Sequence, residues 1–297
     1  MSLAAFKSYD KSNKAVIVIG KGLIGSAVVK QLSYYFDDIS HDINKALVDK
    51  FNWNDSKALI RILQEFLLKT KIKHLEVVWA AGKAGFGATD AQMSDEYDYF
   101  ESTIAYLATE VEYTDVSINL LSSAGGIYEN SGFVDDITTI TPQRPYAKAK
   151  IEQEQLLYEL ALPHRIYRVS TVYGAGGSRI GLINAMMHSA HTRKPMVIYA
   201  NQNTVRDYIY NVDVGKKIVN DIILTKKEGT YILANGRVAS ISLLLNLVQQ
   251  ISKKRVPVSF LSDGTNDKDI AFARNLIEND ICLTSLEEGI RILYSIT

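Results

Sequence analysis

The chain has 297 residues with 33 basic and 33 acidic side chains, so its formal net charge is zero. That length is enough for one large α/β domain or two ordinary ones, and a composition of 47% hydrophobic and 22% charged residues excludes wholesale disorder. A neutral chain lacks the basic excess of a non-specific nucleic-acid binder, so we expect a small molecule, and no nucleic acid, as the partner.

The sequence favours a cytoplasmic location. Cys282 is the single cysteine and cannot form an internal disulfide, which suits a reducing compartment. Residues 1–14 are polar and contain lysines, unlike a signal peptide, and no run of about 18 apolar residues is present to cross a membrane. We therefore expect neither secretion nor a membrane-spanning segment.

Short runs rich in valine and isoleucine alternate with segments of helical period over the first 170 residues, which is typical of a parallel sheet with crossover helices. Asn54 is predicted to cap a helix from Asp55 to about Lys69. We therefore predict an α/β fold with a doubly wound parallel sheet. The predicted buried strands are residues 15–19, 75–80, 116–121 and 165–169.

The pattern becomes less regular after about residue 170, so we predict two regions, 1–170 and 171–297, with an approximate boundary and segments that interleave. Strands at 196–199 and 231–234 are predicted in the second, smaller region. A final helix is predicted to begin at Thr284 or Ser285, because each hydroxyl has a glutamate three residues later.

A glycine-rich turn follows the first predicted strand. Gly20, Gly22 and Gly25 form G-x-G-x-x-G, and a helical segment begins at Leu23 and Ile24. Such a turn lets the backbone approach a diphosphate at the amino end of a helix. Because the strand, turn and helix occur in the right order, we predict dinucleotide binding here rather than a purely structural turn.

The acidic residue that holds the adenosine ribose in many such sites is harder to identify. Asp37, Asp38 and Asp42 all lie at a suitable distance along the chain, but the segment 34–43 makes a poor strand. The prediction therefore stays open between NAD and NADP, and each of these carboxylates could equally be a solvated loop charge.

Tyr146 and Lys150 lie four residues apart at the start of a predicted helix that reaches Leu160. This spacing places both side chains on one face, where an ammonium favours the phenolate and lowers the tyrosine pKa from about 10. Tyr146 is therefore a candidate general acid or base, although Y-x-x-x-K by itself is common by chance.

Taken together, the order of the motifs resembles the extended short-chain dehydrogenase/reductase family over nearly the whole chain. Its Rossmann-like members combine a nucleotide-binding sheet with a smaller carboxyl-terminal substrate region. The segments that resemble this family are the turn at 20–25, WAAG at 79–82, Ser122-Ser123, Tyr146 with Lys150, RVSTVYG at 168–174, RDYIY at 206–210 through Asp213, and SLEEGI at 285–290.

The resemblance implies an enzyme that binds NAD or NADP and acts on a nucleoside-diphosphate sugar. By that likeness Tyr146 exchanges a proton with a sugar hydroxyl, Lys150 holds the nicotinamide ribose, and Ala80, Ala81 and Gly82 line the cofactor cleft. The likeness also implies that Thr171 and Arg206 contact the substrate, where the planar guanidinium of Arg206 suits the diphosphate oxygens. A homodimer through paired helices is the default for similar proteins.

One position departs from the family pattern. The catalytic serine or threonine of related enzymes falls at Ala124, four residues before Tyr128. We expect Ser123 to take its place if the glycines at 125 and 126 let the loop bulge, with Ser122 as the weaker alternative. These glycines also stand where 4,6-dehydratases carry an acidic pair, so dehydration is disfavoured relative to epimerisation or keto-sugar reduction.

Two other functions stay open. A catalytically silent dinucleotide sensor would keep the glycine turn and lose the catalytic hydroxyl, as Ala124 suggests. A reductase of a small carbonyl would not need Arg206 for a diphosphate, and that arginine could instead pair with Asp207 or Asp213. We expect no metal site, because the histidines at 74, 164, 188 and 191 lack a ligand spacing.

Overall fold

The structure, a computed structural model, describes residues 2–9, 13–40, 55–110, 114–177, 180–261, 268–278 and 281–296. The strands are β1 (Leu3–Ser8), β2 (Lys14–Ile19), β3 (Phe36–Asp38), β4 (His74–Trp79), β5 (Asp115–Ser123), β6 (Gly132–Val134), β7 (His164–Val169), β8 (Thr171–Tyr173), β9 (Met196–Ile198), β10 (Val205–Tyr210), β11 (Gly229–Leu233), β12 (Val238–Ser240), β13 (Val258–Phe260) and β14 (Ile270–Phe272). The helices are α1 (Leu23–Leu32), α2 (Ser56–Thr70), α3 (Asp90–Glu110), α4 (Ala124–Ile127), α5 (Pro145–Glu159), α6 (Leu182–Thr192), α7 (Asn211–Ile223), α8 (Ile241–Ser252) and α9 (Leu286–Ser295).

The larger sheet has the strand order β11-β7-β5-β4-β2-β1-β3, and the four pairings from β11 to β2 are all parallel. Helices cover both faces, because one apolar core contains side chains of α2, α3 and α5 and a second core contains those of α1 and α7. The predicted α/β fold with a doubly wound sheet is confirmed.

The N-terminal strand β1 was not expected in the polar residues 1–14. It lies antiparallel between β2 and β3, and its Leu3 to Phe6 side chains are buried on the two faces of the sheet. An apolar run of four residues has no clear period of its own. Pairing with β2, and not a periodic pattern within the segment itself, therefore makes these residues a strand.

Of the two helix caps predicted from the sequence, the structure confirms the one at α9 and contradicts the one at α2. Ser285 caps α9 by accepting a hydrogen bond from the Glu288 amide, as the capping pattern predicts. The predicted cap of α2 was wrong, because the Asp55 carboxylate accepts from the Ala58 amide at the start of that helix. Asn54 itself lies outside the described residues.

The second, smaller sheet combines strands from distant parts of the chain. Its order is β12-β10-β14-β6 with β8 beside β10, while β13 pairs with β9. Conversely, two elements of the second predicted region belong to the first: β11 joins the larger sheet next to β7, and α7 packs on α1. The two predicted regions therefore exchange elements, and a boundary near residue 170 stays a prediction.

The carboxyl ends of β2, β4, β5 and β7 lie at one edge of the larger sheet because these strands are parallel. The chain runs from β2 to β3 on one side of β2 and then crosses back to β4 on its other side. This reversal creates a crevice of the kind where ligands bind in open α/β sheets. Separately, none of the helices in the described part of the chain is long and apolar enough to span a membrane.

Candidate active site

Backbone contacts explain two of the three glycines in the turn after β2. A Cβ added at Gly25 would lie 1.8 Å from the Gly20 carbonyl oxygen, so only glycine fits there. Gly20 has a φ of +94°, and a Cβ at this position would lie 2.6 Å from the Ala81 Cα. These contacts pack the turn and α1 tightly against the segment that follows β4.

Gly22 is different, because a Cβ added there would meet no described atom within 4 Å. It is the N-cap of α1 and has no side chain to satisfy the amides of the first turn. Open space at an uncapped helix start, beside a glycine, is what a diphosphate requires. The turn therefore leaves room for a diphosphate at its helix start, and cofactor binding by Gly22, Leu23 and Ile24 stays a prediction.

One cavity of about 480 Å³ opens at this edge of the sheet. It contains the predicted cofactor residues Gly22 to Ile24 and Ala80 to Gly82 together with the predicted catalytic pair. Its volume is in the usual range for small-molecule sites. The described lining residues are Gly22, Leu23, Ile24, Ala80, Ala81, Gly82, Ala84, Glu96, Leu121, Ser122, Tyr146, Lys150, Val172, Gly177, Ile180 and Gly181.

The carboxylates considered for the adenosine ribose do not reach this cavity. Asp37 and Asp38 are exposed on β3, and Asp38 is level with Phe6 of β1 rather than with the end of β2. The extra strand β1 therefore separates them from the glycine turn. Ser2, just before β1, lies next to the glycine turn instead: its carbonyl accepts from the Gly20 amide and its hydroxyl from the Lys21 amide. Asp42 lies outside the described residues.

Tyr146 and Lys150 lie together in the cavity wall on the first turns of α5. The Lys150 Nζ is 6.0 Å from the centre of the Tyr146 ring, and the Phe86 ring packs on the tyrosine at 5.7 Å between centres. Pro145 at the first helical position fixes where α5 begins. The spacing predicted from sequence thus puts the two side chains on one helix face.

The Lys150 ammonium is buried and held by neutral acceptors. It donates to the Leu121 carbonyl at 3.0 Å and to Gln153 Oε1 at 2.9 Å. Burial lowers the pKa of Lys150 to about 8, while Glu96 and Glu154 oppose this shift. The amine therefore remains charged at neutral pH and can stabilise a neighbouring negative charge.

Ser122 lines the cavity and also belongs to a buried hydrogen-bond network. Its hydroxyl donates to Glu154 Oε1 at 2.5 Å, and the same carboxylate forms an ion pair with Arg168 at 2.6 Å. Arg168 also donates to the Tyr128 hydroxyl at 2.7 Å. The serine thus supports the ion pair that joins β5, α5 and β7, which leaves it poorly suited to act on a substrate.

Ser123 is placed differently. Its hydroxyl caps the short helix α4 by accepting from the Gly126 amide at 3.2 Å. A Cβ on Gly126 would lie 3.3 Å from this hydroxyl and 3.4 Å from the Tyr146 ring, so the serine and the tyrosine flank the same glycine. Ala124 is fully buried and faces the core. A catalytic role for Ser123 stays a prediction.

The loop after β8 closes over the start of α1. Asn211 Nδ2 donates to the carbonyls of Leu23 and Ala175, each at 2.9 Å, and so links α1, this loop and α7. A Cβ at Gly177 would lie 2.9 Å from the Leu23 amide nitrogen. Neither Asn211 nor Gly177 was selected from the sequence, because isolated asparagines and glycines in a loop have no diagnostic pattern.

Thr171 and Arg206 lie in the smaller sheet, and neither is among the described residues that line the cavity. Thr171 is paired with Tyr208, and its neighbour Val172 does reach the cavity. Arg206 is half-buried between Ala239 and Ile270. Their substrate contacts therefore stay predictions.

The carboxylates considered as partners of Arg206 are occupied elsewhere. Asp207 accepts from the Ser170 hydroxyl and from the amides of Asn235 and Gly236. Asp213 accepts from the amide and hydroxyl of Thr284. Burial raises the pKa of both carboxyl groups above the usual value, and these hydrogen bonds limit the rise. Both side chains therefore hold distant loops in place.

Other side chains considered from the sequence are structural. Trp79 is buried against Phe100 with ring centres 5.0 Å apart. His74 pairs with Asp115 at 2.8 Å, and His164 Nδ1 bonds to the Leu162 carbonyl at 2.6 Å. In the described part of the chain, no group of three or more histidine, cysteine, aspartate or glutamate side chains could hold a metal ion.

Two curated relatives have recognisable sequence similarity. A Bacillus subtilis protein named as an uncharacterised UDP-glucose epimerase, YtcB, is 25% identical over 184 residues, which are 58% of this chain and 57% of that protein. The match thus spans little more than half of the Bacillus protein. A candidate UDP-glucose 4-epimerase of Methanocaldococcus jannaschii is 26% identical over 245 residues, 77% of this chain and 79% of the relative.

Solved structures show the same fold at lower identity. The Thermus thermophilus UDP-glucose 4-epimerase in complex with NAD has a TM-score of 0.73 at 19% identity, over 94% of this chain and 97% of the other. The Bacillus anthracis dTDP-glucose 4,6-dehydratase in complex with NAD has a TM-score of 0.69 at 17% identity, over 94% of both chains. The fold alone does not separate these two reactions.

A sequence model of one family covers most of the chain, because residues 16–231 match the NAD dependent epimerase/dehydratase family. The matched segment begins at β2 and ends in β11, so it contains the glycine turn, Tyr146, Lys150 and Arg206. The chain belongs to the NAD-dependent epimerase/dehydratase family.

Proposed function

We propose that this protein catalyses reversible hydride transfer at a sugar carbon of a nucleoside-diphosphate sugar, as an epimerase or as a keto-sugar reductase. The observation that carries the proposal is the position of Tyr146 and Lys150 in one cavity with Gly22 and Ala80 to Gly82. A general acid or base thus stands beside the space that suits a dinucleotide. The names of the relatives favour epimerisation of a UDP-sugar.

The chemistry of the cavity follows from Tyr146. Its phenolate removes the proton from a sugar hydroxyl while a hydride leaves the carbon that bears this hydroxyl. That carbon is thereby oxidised to a ketone. NAD(P), held by Gly22 to Ile24 and Ala80 to Gly82, would supply the acceptor and donor of this hydride. In the return step Tyr146 gives its proton back to the sugar oxygen. The buried Lys150 ammonium stabilises the phenolate that exists before the first step and again after the second.

An epimerase must return the hydride to the opposite face of the ketone, so oxidised cofactor is regenerated in each cycle. A keto-sugar reductase uses only the second half of the sequence and consumes NAD(P)H. Both need the same tyrosine and lysine. We rank dehydration lower, because Gly125 and Gly126 supply no carboxylate next to the Tyr146 ring.

The missing hydroxyl at Ala124 supports one alternative, a dinucleotide sensor without turnover. The position of Ser123 weakens the sensor alternative, because a second hydroxyl lies across Gly126 from Tyr146. The helix cap uses this hydroxyl as an acceptor, so its hydrogen is not used in the cap. We therefore propose that Ser123 assists Tyr146 at the substrate oxygen. Ser122 is the weaker candidate because Glu154 accepts its hydrogen.

The test is Tyr146→Phe with a panel of UDP-, GDP- and dTDP-sugars, with and without added NAD(P)H. The phenyl ring keeps the packing on Phe86, so we expect normal folding and cofactor binding but a loss of turnover of about 10²- to 10⁴-fold. Tyr158→Phe is the matched control, because Tyr158 is exposed on the same helix.

Unchanged turnover in Tyr146→Phe would overturn the proposed chemistry. A parent protein that binds the dinucleotide tightly but converts none of the sugars would instead support the sensor. Oxidised dinucleotide that stays bound through purification, identified by absorbance and mass after denaturation, would favour the epimerase. A readily exchanged cofactor would favour the reductase.

A further inference from the structure

Glu96 is a cavity residue that the sequence patterns did not select. It lies on the second turn of α3 and is buried, with 8% of its surface exposed. It lines the same cavity as Gly82, Tyr146 and Lys150. A carboxylate is rarely buried without a specific reason, because removing its charge from water is costly.

The two oxygens of Glu96 have different surroundings. Oε1 accepts hydrogen bonds from the amides of Lys83 and Ala84, which fixes the loop after β4. Oε2 lies 3.8 Å from the position of a Cβ at Gly82, in the segment that lines the cavity. The backbone amides stabilise the ionised carboxylate without neutralising it, so its negative charge acts on the cavity.

The other buried carboxylate near Lys150 is balanced by a cation. Glu154 is paired with Arg168 and bonded to Ser122, as described above. Glu96 is held in another way, because its Oε1 accepts from neutral backbone amides and its Oε2 lies beside the Gly82 segment. Among the described residues that line the cavity, Lys150 and Glu96 are the two with charged side chains, one of each sign.

We propose that the Glu96 carboxylate makes the cavity favour the oxidised dinucleotide over the reduced one. The oxidised nicotinamide ring is positively charged and the reduced ring is neutral, so a negative charge in the cavity wall stabilises only the former by Coulomb attraction. With Glu96 present, its charge offsets that of Lys150. Without it, the charge of the Lys150 ammonium is no longer offset by this carboxylate and favours the reduced form.

This inference rests on the proposed function, because it requires a nicotinamide dinucleotide in this cavity. It also adds to that function. An epimerase must hold an oxidised cofactor at rest and reduce it only during turnover, and a carboxylate at this position favours that resting state. A reductase, by contrast, would gain nothing from a charge that weakens binding of the reduced cofactor relative to the oxidised one.

The test compares the dissociation constants of NAD⁺ and NADH in the parent and in Glu96→Gln. The glutamine oxygen can still accept from the amides of Lys83 and Ala84, so the loop keeps its anchor. We expect the ratio of the two constants to move about tenfold toward NADH, which corresponds to about 1.4 kcal/mol. Glu101→Gln, exposed on the same helix, is the control and should leave the ratio unchanged.

Two further variants separate charge from shape. Glu96→Ala removes the charge in another way and should shift the ratio in the same direction, so it replaces the glutamine variant if that one fails to fold. Glu96→Asp keeps the charge and should keep the parent ratio. Fluorescence of bound NADH, with NAD⁺ as competitor, gives both constants without turnover.

An unchanged ratio in both charge-removing variants, with both nucleotides still bound, would overturn this inference and leave the proposed function intact. An equal loss of NAD⁺ and NADH would also overturn it, because it would show a structural role for the loop anchor. If the parent protein binds neither nucleotide, nor their 2′-phosphorylated forms, the proposed function falls and this inference with it.

Discussion

The two ends of the candidate site are built in different ways. At the cofactor end, the cavity is formed by residues that directly follow β2 and β4 and by the first turns of α1 and α5. At the end that is only predicted to bind substrate, Thr171 and Arg206 lie on β8 and β10 in a small sheet whose strands come from distant segments. One end follows from neighbouring parallel strands, and the other depends on long-range pairing.

The difference shows in what holds each end together. The glycine turn is held by backbone contacts so close that Gly25 admits no side chain. Near the smaller sheet, buried carboxylates on β10 and α7 hold neighbouring segments, with Asp207 bonded to the loop after β11 and Asp213 to the segment before α9. The glycine turn is therefore sensitive to added atoms, and the region around the smaller sheet to lost hydrogen bonds.

The largest effect is expected from Gly25→Ala at the cofactor end. Its Cβ would lie 1.8 Å from the Gly20 oxygen, so the turn must open, and we expect a loss of more than about 3 kcal/mol in the free energy of unfolding. Urea denaturation measures it. Gly25→Ala with parent stability would show that this end is not held by close backbone contact.

Gly22→Ala is the matched control for that variant. Its Cβ meets no described atom within 4 Å, so the free energy of unfolding should change by less than about 1 kcal/mol. The added methyl group would project where the backbone must approach a diphosphate, so we expect the affinity for the dinucleotide to fall at least about tenfold.

At the substrate end, Arg206→Ala tests the predicted diphosphate contact. We expect kcat/KM for a sugar nucleotide to fall by roughly 1.5 to 3 kcal/mol, the range for a hydrogen bond to a charged group, mostly through KM. Arg255→Ala, an exposed arginine that follows α8, is the control. A KM that does not change would favour a small carbonyl substrate without a diphosphate.

The smallest expected effect is the change in the free energy of unfolding when Lys150 is replaced. Burial lowers the pKa of Lys150 from 10.5 to about 8, so its charged form costs folding free energy at neutral pH. Lys150→Met should therefore lose activity yet gain roughly 1 to 2 kcal/mol of stability at pH 7, after the loss of its hydrogen bonds is included. Lys148→Met, exposed on the same helix, should do neither.

The pH dependence of that difference has a defined sign. Between about pH 8 and 10.5 the unfolded chain binds a proton at Lys150 that the folded chain has released, so the stability of the parent rises with pH in this window relative to Lys150→Met. The advantage of the methionine variant should shrink accordingly. An advantage that is constant from about pH 7 to 10 would contradict the buried-charge explanation.

Local sequence patterns identified most of the cofactor end. The glycine triplet follows a valine-rich strand, and Tyr146 with Lys150 follows a proline that begins a helix, so their places need no long-range information. The same patterns missed Glu96, because one glutamate in an acidic helix has no signal until α3 packs beside α5. They also missed Asn211, whose partners lie in two other segments.

The sequence by itself determined the parallel α/β fold, the glycine turn and the placement of Tyr146 with Lys150, because each depends on residues close together in the chain and on periodic burial. Only the tertiary structure decided that β1 enters the sheet, that Asp37 and Asp38 are kept from the glycine turn, and that Glu96 shares a cavity with Lys150. These features arise from pairing and packing between separate elements, whose free energy outweighs the local preference of each segment.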